Sequence, residues 1–87
     1  MLRISCVASP EGEVILRLEG QVGGPWVEEL RRLCDQHLAT GSALLLDLTD
    51  VSFVDLEGVA LCRRLQDCNV VLLYCSPFVA EQLKWER

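Results

Sequence analysis

The five cysteines are the most reactive side chains of this 87-residue chain, and their chemistry depends on their spacing. No pair has the C-x-x-C spacing of a zinc knuckle or a redox motif, and an odd number does not suit a secreted disulfide framework. Most stand beside leucine or valine, which predicts small apolar core residues in a reducing compartment, with no metal and no cofactor. They are Cys6, Cys34, Cys62, Cys68 and Cys75.

Candidates for acid–base catalysis are few. His37 is the sole histidine and falls near the end of a predicted helix, where a surface position is the simpler interpretation. Asp47 and Asp50 flank the exit of a predicted strand. Paired carboxylates can transfer protons, but aspartates in such loops more commonly bond local backbone. We therefore predict no catalytic residues.

Two segments place glycine and acidic residues next to predicted helix starts. The loop at residues 20–24 lacks the Lys-Ser/Thr of a phosphate-binding loop and the G-x-G-x-x-G spacing, so nucleotide binding is not favoured. Asp55 suits a helix N-cap, and Glu57 would lie in the first turn, where the helix dipole favours a negative charge. Gly58 would leave backbone uncovered for close approach by another surface. An ordinary helix start and a docking surface both fit this pattern.

Composition and charge limit the classes of protein to which this chain can belong. Eighty-seven residues make a single domain, and 51% apolar residues suit a packed core or a core plus a docking face. Thirteen acidic against eight basic residues give a net charge of −5, which repels nucleic acid. No apolar run approaches the ~18 residues of a membrane span, and no signal peptide is visible. These features predict a cytoplasmic protein with no direct membrane insertion.

The first half of the chain predicts a hairpin and a helix. Residues 2–7 and 14–18 read as strands joined by a turn at residues 10–12. Pro25 suits the first position of a helix that stops near Gly41. Apolar residues then recur at helical spacing and predict its buried face: Trp26, Val27, Leu30, Leu33, Cys34 and Leu38.

The second half predicts two strands, each followed by a helix. Residues 43–48 read as a central strand covered on both sides, or on one side with strong packing, followed by a turn at residues 49–53. A helix capped by Asp55 follows, and residues 69–75 read as a second inner strand. Residues 77–87 read as a last helix, where Trp85 is expected to be exposed. The buried stripe of the middle helix is predicted to be Leu56, Val59, Ala60 and Leu65.

The predicted order is β-β-α-β-α-β-α. Helices of about ten to fifteen residues between strands imply right-handed crossovers between parallel neighbours, while the hairpin makes the sheet mixed. The fold class is therefore α/β, a single-layer mixed four-stranded sheet with three helices.

Three segments resemble the STAS domain, the fold shared by sulfate-transporter tails and anti-sigma factor antagonists. Residues 14–20 resemble its second strand and the glycine that ends it. Residues 44–58 resemble its central strand and signature loop, and residues 70–77 the next strand and turn. The likeness runs through nearly the whole chain, which we interpret as one STAS-like domain over residues 1–87.

The resemblance implies a docking surface at the signature loop, with the glycine-rich loop at Gly23 and Gly24 beside it. In the family this loop ends in Asp-Ser-Ser-Gly or Asp-Ser-Ala/Thr-Gly, and the hydroxyl before the glycine is phosphorylated. Here the pattern reads Asp55-Leu56-Glu57-Gly58. Glu57 occupies the phosphorylation-equivalent position without a hydroxyl. It would either mimic the phosphorylated state or meet a partner that accepts a carboxylate.

The resemblance also implies a function through a protein partner and not through catalysis. The partner would be an anti-sigma factor or kinase; the alternative is a STAS subunit that docks on the ATPase of a membrane transporter. STAS domains usually continue through another strand and helix, so this chain resembles a short form lacking the last β-α unit. An open sheet edge would favour pairing with a second copy of the chain.

Overall fold

The computed structural model describes residues 2–85, with the Trp85 side chain excluded, and it contains the predicted elements in the predicted order. The exposure predicted for Trp85 lies outside the described side chains. The elements are β1 (Leu2–Ala8), β2 (Val14–Val22), α1 (Pro25–Ala39), β3 (Leu44–Val54), α2 (Leu56–Asp67), β4 (Val71–Leu73) and α3 (Pro77–Trp85).

The four strands form one sheet in the order β1-β2-β3-β4. β1 runs antiparallel to β2, and β2, β3 and β4 run parallel to one another. Burial alternates along β2: Leu16 and Leu18 lie in the core, whereas Arg17 between them is exposed. One face of the sheet is therefore covered by helices. The predicted α/β class, with a mixed four-stranded sheet and three helices, is confirmed.

The middle of the sheet is longer than predicted. β3 continues through residues 49–53, which were expected to be a turn, because β2 also extends to Val22 and pairs with β3 as far as Val54. Two register shifts in this pairing, near residues 17–19 and 20–21, absorb the extra residues of β3. Because both strands are extended, α2 begins at the end of the sheet opposite the turn between β1 and β2.

β4 is a short edge strand and not the inner strand that the apolar run at residues 69–75 predicted. Asn69 and Tyr74 both have positive φ angles, 68° and 59°, which interrupt extended backbone on either side of β4. β4 consequently pairs only with residues 45–47 of β3. β1 and β4 are the edge strands of this sheet. Pairing of an edge strand with a second copy of the chain stays a prediction.

The C-terminal half of β3 is met by α3 where β4 falls short. Gln82 Nε2 donates a hydrogen bond to the Val54 carbonyl at 2.8 Å, and the Val54 N–H donates to Gln82 Oε1 at 3.1 Å. The side-chain amide thus replaces a neighbouring strand at this point. Val79 of the same helix is fully buried in the core.

Helix faces differ from the predicted stripes at three positions. Leu56 is 72% exposed and Ala60 is also exposed, because α2 turns Gly58, Val59, Leu61, Cys62 and Leu65 toward the sheet. Trp26 was expected in the core but is exposed at 37%, at the tip of α1. In each case helical periodicity predicts which side of the helix is apolar, but it does not predict which residues at the edge of that side are buried.

The cysteines divide into three groups by burial. Cys34 and Cys62 are fully buried as predicted, and burial raises the pKa of each thiol to about 12. Cys75 is partly buried, whereas Cys6 and Cys68 are exposed, contrary to the core interpretation. All five are free thiols.

Candidate functional site

The start of α2 is fixed to the sheet by Asp55. Its backbone N–H donates to the Val22 carbonyl at 3.0 Å, which continues the strand pairing up to the helix. Its Oδ1 accepts a hydrogen bond from the Gly58 N–H at 2.8 Å. The predicted N-cap is therefore present, and it supplies a partner for one of the N–H groups that a helix start leaves unpaired.

The same carboxylate also holds the glycine-rich loop. Asp55 Oδ2 accepts a hydrogen bond from the Gly24 N–H at 3.0 Å. A Cβ atom on Gly23 would lie 2.8 Å from that oxygen, and Gly24 has a φ of +59°, a conformation that favours glycine. The structure thus brings Asp55 against Gly23 and Gly24, which precede it by more than thirty positions in the sequence.

Gly58 serves the domain's own packing. It is buried, and a Cβ atom there would lie 2.7 Å from both the Val22 carbonyl oxygen and Val54 Cγ1. Within the domain, the close approach that this glycine permits is made by the ends of β2 and β3. Gly58 supports the site by bringing the helix start against the sheet.

Leu56 and Glu57 project from this fixed helix start into solvent. Leu56 is 72% exposed and Glu57 is exposed beside it in the first turn. The helix dipole favours the carboxylate at this position. The tip therefore presents an apolar and an anionic side chain on backbone held by hydrogen bonds.

A groove of about 580 Å³ opens beside Leu56, between the start of α2 and α3. Its floor includes the buried Val54 and Val59. Phe53 and Phe78 lie on its wall with ring centroids 6.5 Å apart, and they are 41% and 58% exposed. No pattern in the sequence predicted this groove. An aromatic residue at the end of a strand and another at the start of a helix were the available signal, but helical and strand periodicity alone do not place them together.

The carboxylates considered for catalysis have local structural partners. Asp47 Oδ1 accepts hydrogen bonds from the hydroxyl and the N–H of Thr49, at 2.6 and 3.0 Å, and these bonds lower the pKa of Asp47. Asp50 instead forms an ion pair with Arg17 at 3.1 Å. Within residues 2–85, no cluster of three side chains has the composition and arrangement to hold a metal ion. No described helix is long and apolar enough to cross a membrane.

Comparison with known proteins agrees with this architecture. The family model described as STAS domain matches residues 7–85, nearly the whole chain. The chain belongs to the STAS family. Among curated proteins, none gave a match.

Two solved structures share the fold of this STAS domain. The anti-sigma factor antagonist SpoIIAA in its unphosphorylated form has a TM-score of 0.72 and 22% sequence identity, over 95% of this chain and 83% of that one. An uncharacterized protein of the DUF3478 family from Shewanella loihica, with a SpoIIAA-like fold, has a TM-score of 0.60 and 16% identity, over 88% of this chain and 69% of that one.

Proposed function

We propose that this STAS domain is a non-catalytic docking module of the anti-sigma factor antagonist type. In this proposal it binds an anti-sigma kinase-like switch protein through Asp55–Gly58 and the adjoining Gly23–Gly24 loop, and so regulates transcription in the cytoplasm. The observation that carries it is the fixed, exposed tip of α2, where Leu56 and Glu57 face solvent. A surface already held in one conformation loses little entropy when a partner binds.

Glu57 gives the tip a constant negative charge. It carries about one unit, against roughly −1.5 to −2 for a phosphoserine, and it has fewer acceptor oxygens. This constant charge has two alternative consequences for partner binding. Glu57 keeps the domain in a state like the phosphorylated, partner-released form, or the partner binds the carboxylate directly, for example with an arginine. Removal of the charge changes affinity in opposite directions in these two cases.

The test is isothermal titration calorimetry with the purified anti-sigma kinase-like proteins of the source organism. Glu57→Arg should weaken binding at least tenfold if the partner accepts the carboxylate. Glu57→Ser should tighten binding if Glu57 mimics phosphorylation, and it should create a substrate for a cognate serine kinase. The control is Glu11→Arg, which makes the same charge change in the exposed turn between β1 and β2, at the opposite end of the sheet.

The outcomes separate the candidate functions. If neither Glu57 variant changes the affinity of a partner, Glu57 is a bystander and the proposed surface is wrong. A second arm measures binding to the ATPases of membrane transporters from the same organism. Binding in that arm alone would assign the domain to the alternative role as a transporter subunit.

A further inference from the structure

The sheet has a second face, opposite the one that the helices cover. Leu16 of β2 and Leu46 of β3 lie in the core. Because side chains alternate along a strand, their neighbours Ile15 and Leu45 lie on the opposite face. All three helices bury side chains in the one core cluster that holds Leu16 and Leu46. Within residues 2–85 the helices therefore leave the face of Ile15 and Leu45 open.

One row of side chains on this open face is apolar across all four strands. Val7 of β1 pairs with Ile15 of β2, and Ile15 pairs with Leu45 of β3. Leu45 in turn pairs with Val71 of β4. Val7 and Val71 are each 50% exposed, and the two residues between them are half-buried. We call these four residues the open-face row. A contiguous apolar patch of this kind marks an interaction site more often than scattered single residues do.

Opposite charges flank the open-face row along β2. The Ser9 N–H donates to the Glu13 carbonyl at 2.8 Å, which continues the hairpin pairing beyond β1 and β2, so alternation places Glu13 on the open face two residues before Ile15. Glu13 forms no ion pair within residues 2–85. Arg17 lies on the same face two residues after Ile15, and it remains 51% exposed while it pairs with Asp50.

This arrangement is complementary to a second copy of itself. When two open faces meet across a two-fold axis that runs along the row, their strands point in opposite directions, and Glu13 of each copy lies over Arg17 of the other. An axis along the strands would instead place each of these charges over its own equivalent. Like charges in contact are unfavourable, so the charges favour the first orientation. Sheets that pack face to face commonly keep their strands nearly aligned, as this orientation does.

We propose that the open-face row is a self-association surface, through which two copies of this domain pack sheet against sheet with antiparallel strands. Four strands about 4.8 Å apart and three rows of side chains about 6.7 Å apart give a footprint of roughly 400 Å² per copy. Stable, specific interfaces bury about 800 Å² per partner. The expected dimer is therefore weak and reversible.

This proposal does not depend on the docking function. The open-face row lies near the turn between β1 and β2, whereas α2 begins at the other end of the sheet. The start of α2 therefore stays accessible in the proposed dimer. Because the two copies are antiparallel, the dimer presents one such helix start at each end.

Sedimentation velocity of the purified domain, from about 20 µM to about 1 mM, tests the self-association. The weight-average mass should rise reversibly from the 9.7 kDa of one chain towards twice that value. The double variant Val7→Thr/Val71→Thr keeps β-branched side chains that suit a strand, and it should weaken the dimer at least fivefold. The control is Phe78→Ser, which changes an apolar residue that is 58% exposed in α3, away from the row, and should have no effect.

A charge exchange between copies tests the orientation. Glu13→Arg should weaken the dimer at least fivefold, because it sets cations against each other, and Arg17→Glu should do the same with anions. An equimolar mixture of the two variants should recover the association, because both contacts between the copies then join opposite charges. Asp67→Arg, an exposed position in the last turn of α2, is the control and should change nothing.

The outcomes decide the proposal. A strict monomer at about 1 mM would overturn it and leave the open face to another partner or to water. A dimer that neither the threonine variant nor Glu13→Arg weakens would also overturn it, and would assign the association to an edge strand. If loss of the Asp50 pair unfolds Arg17→Glu, as circular dichroism would reveal, these two variants still give the answer.

Discussion

Replacement of Asp55 by alanine should destabilise the domain more than an ordinary surface substitution. One carboxylate oxygen caps α2 through the Gly58 N–H, and the other holds the Gly24 N–H of the glycine-rich loop. Loss of an N-cap costs about 1 kcal/mol. The second bond adds about 0.5–1 kcal/mol, at the low end of the range for hydrogen bonds because Gly24 is exposed and its N–H can bond to water.

The expected total for Asp55→Ala is about 1.5–2 kcal/mol in the free energy of unfolding. In a domain of this size each kcal/mol corresponds to about 4–8 °C, so Tm should fall by roughly 6–16 °C. Asp55→Asn keeps one oxygen as acceptor and cannot accept both bonds. It should therefore lose about half as much stability.

Urea denaturation followed by circular dichroism measures both variants. Asp67→Ala is the control, because Asp67 is an exposed aspartate in the last turn of the same helix, where the dipole disfavours its charge. It should cause no loss. A change of less than about 0.5 kcal/mol in the free energy of unfolding for Asp55→Ala, the lower limit for an N-cap, would contradict the role of Asp55 as a double hydrogen-bond acceptor.

Three further predictions follow from the packing of the core and the loops. Gln82→Ala should destabilise the domain by about 1–3 kcal/mol in urea denaturation, because it leaves the N–H and carbonyl of Val54 without their partner. Cys34 and Cys62 should resist alkylation at pH 8 in the native state and react on unfolding, since their thiols are buried and their pKa values are raised to about 12. Asp47→Asn should reduce the loss of stability on acidification, because the folded-state pKa of Asp47 is lowered. The contribution of this carboxylate to the free energy of unfolding is full above its ordinary pKa near 4 and is lost as pH falls through the lowered folded-state pKa.

Each of these has an internal control. Gln66→Ala, at an exposed position of α2, should leave stability unchanged. Cys6 and Cys68 should alkylate rapidly because both are exposed. Thr49→Val should reproduce part of the Asp47→Asn effect, since it removes the hydroxyl donor. Native alkylation of all five cysteines at equal rates, or an unchanged acid dependence in both Asp47 and Thr49 variants, would contradict the structural explanation.

The order of the elements was predictable because it depends on local signals. Pro25 and Asp55 start helices for reasons contained in a few residues: a proline has no N–H to lose at the first helical position, and an aspartate can cap the first turn. The apolar alternation in β2 and the motif at residues 55–58 are equally local. These local signals predicted the α/β class, the family resemblance and the helix start at which the proposed function is placed.

The environment of that helix start was decided by the tertiary structure. The bond between Asp55 and Gly24, the burial of Gly58 against Val22, and the groove with its two phenylalanines all join residues that are distant in sequence. Periodicity reports that a side chain is apolar, but burial depends on which neighbouring element reaches it. Because β4 ends early and α3 packs against the end of β3, an apolar groove remains open beside Leu56, and that depends on strand lengths and register, which only the assembled sheet sets.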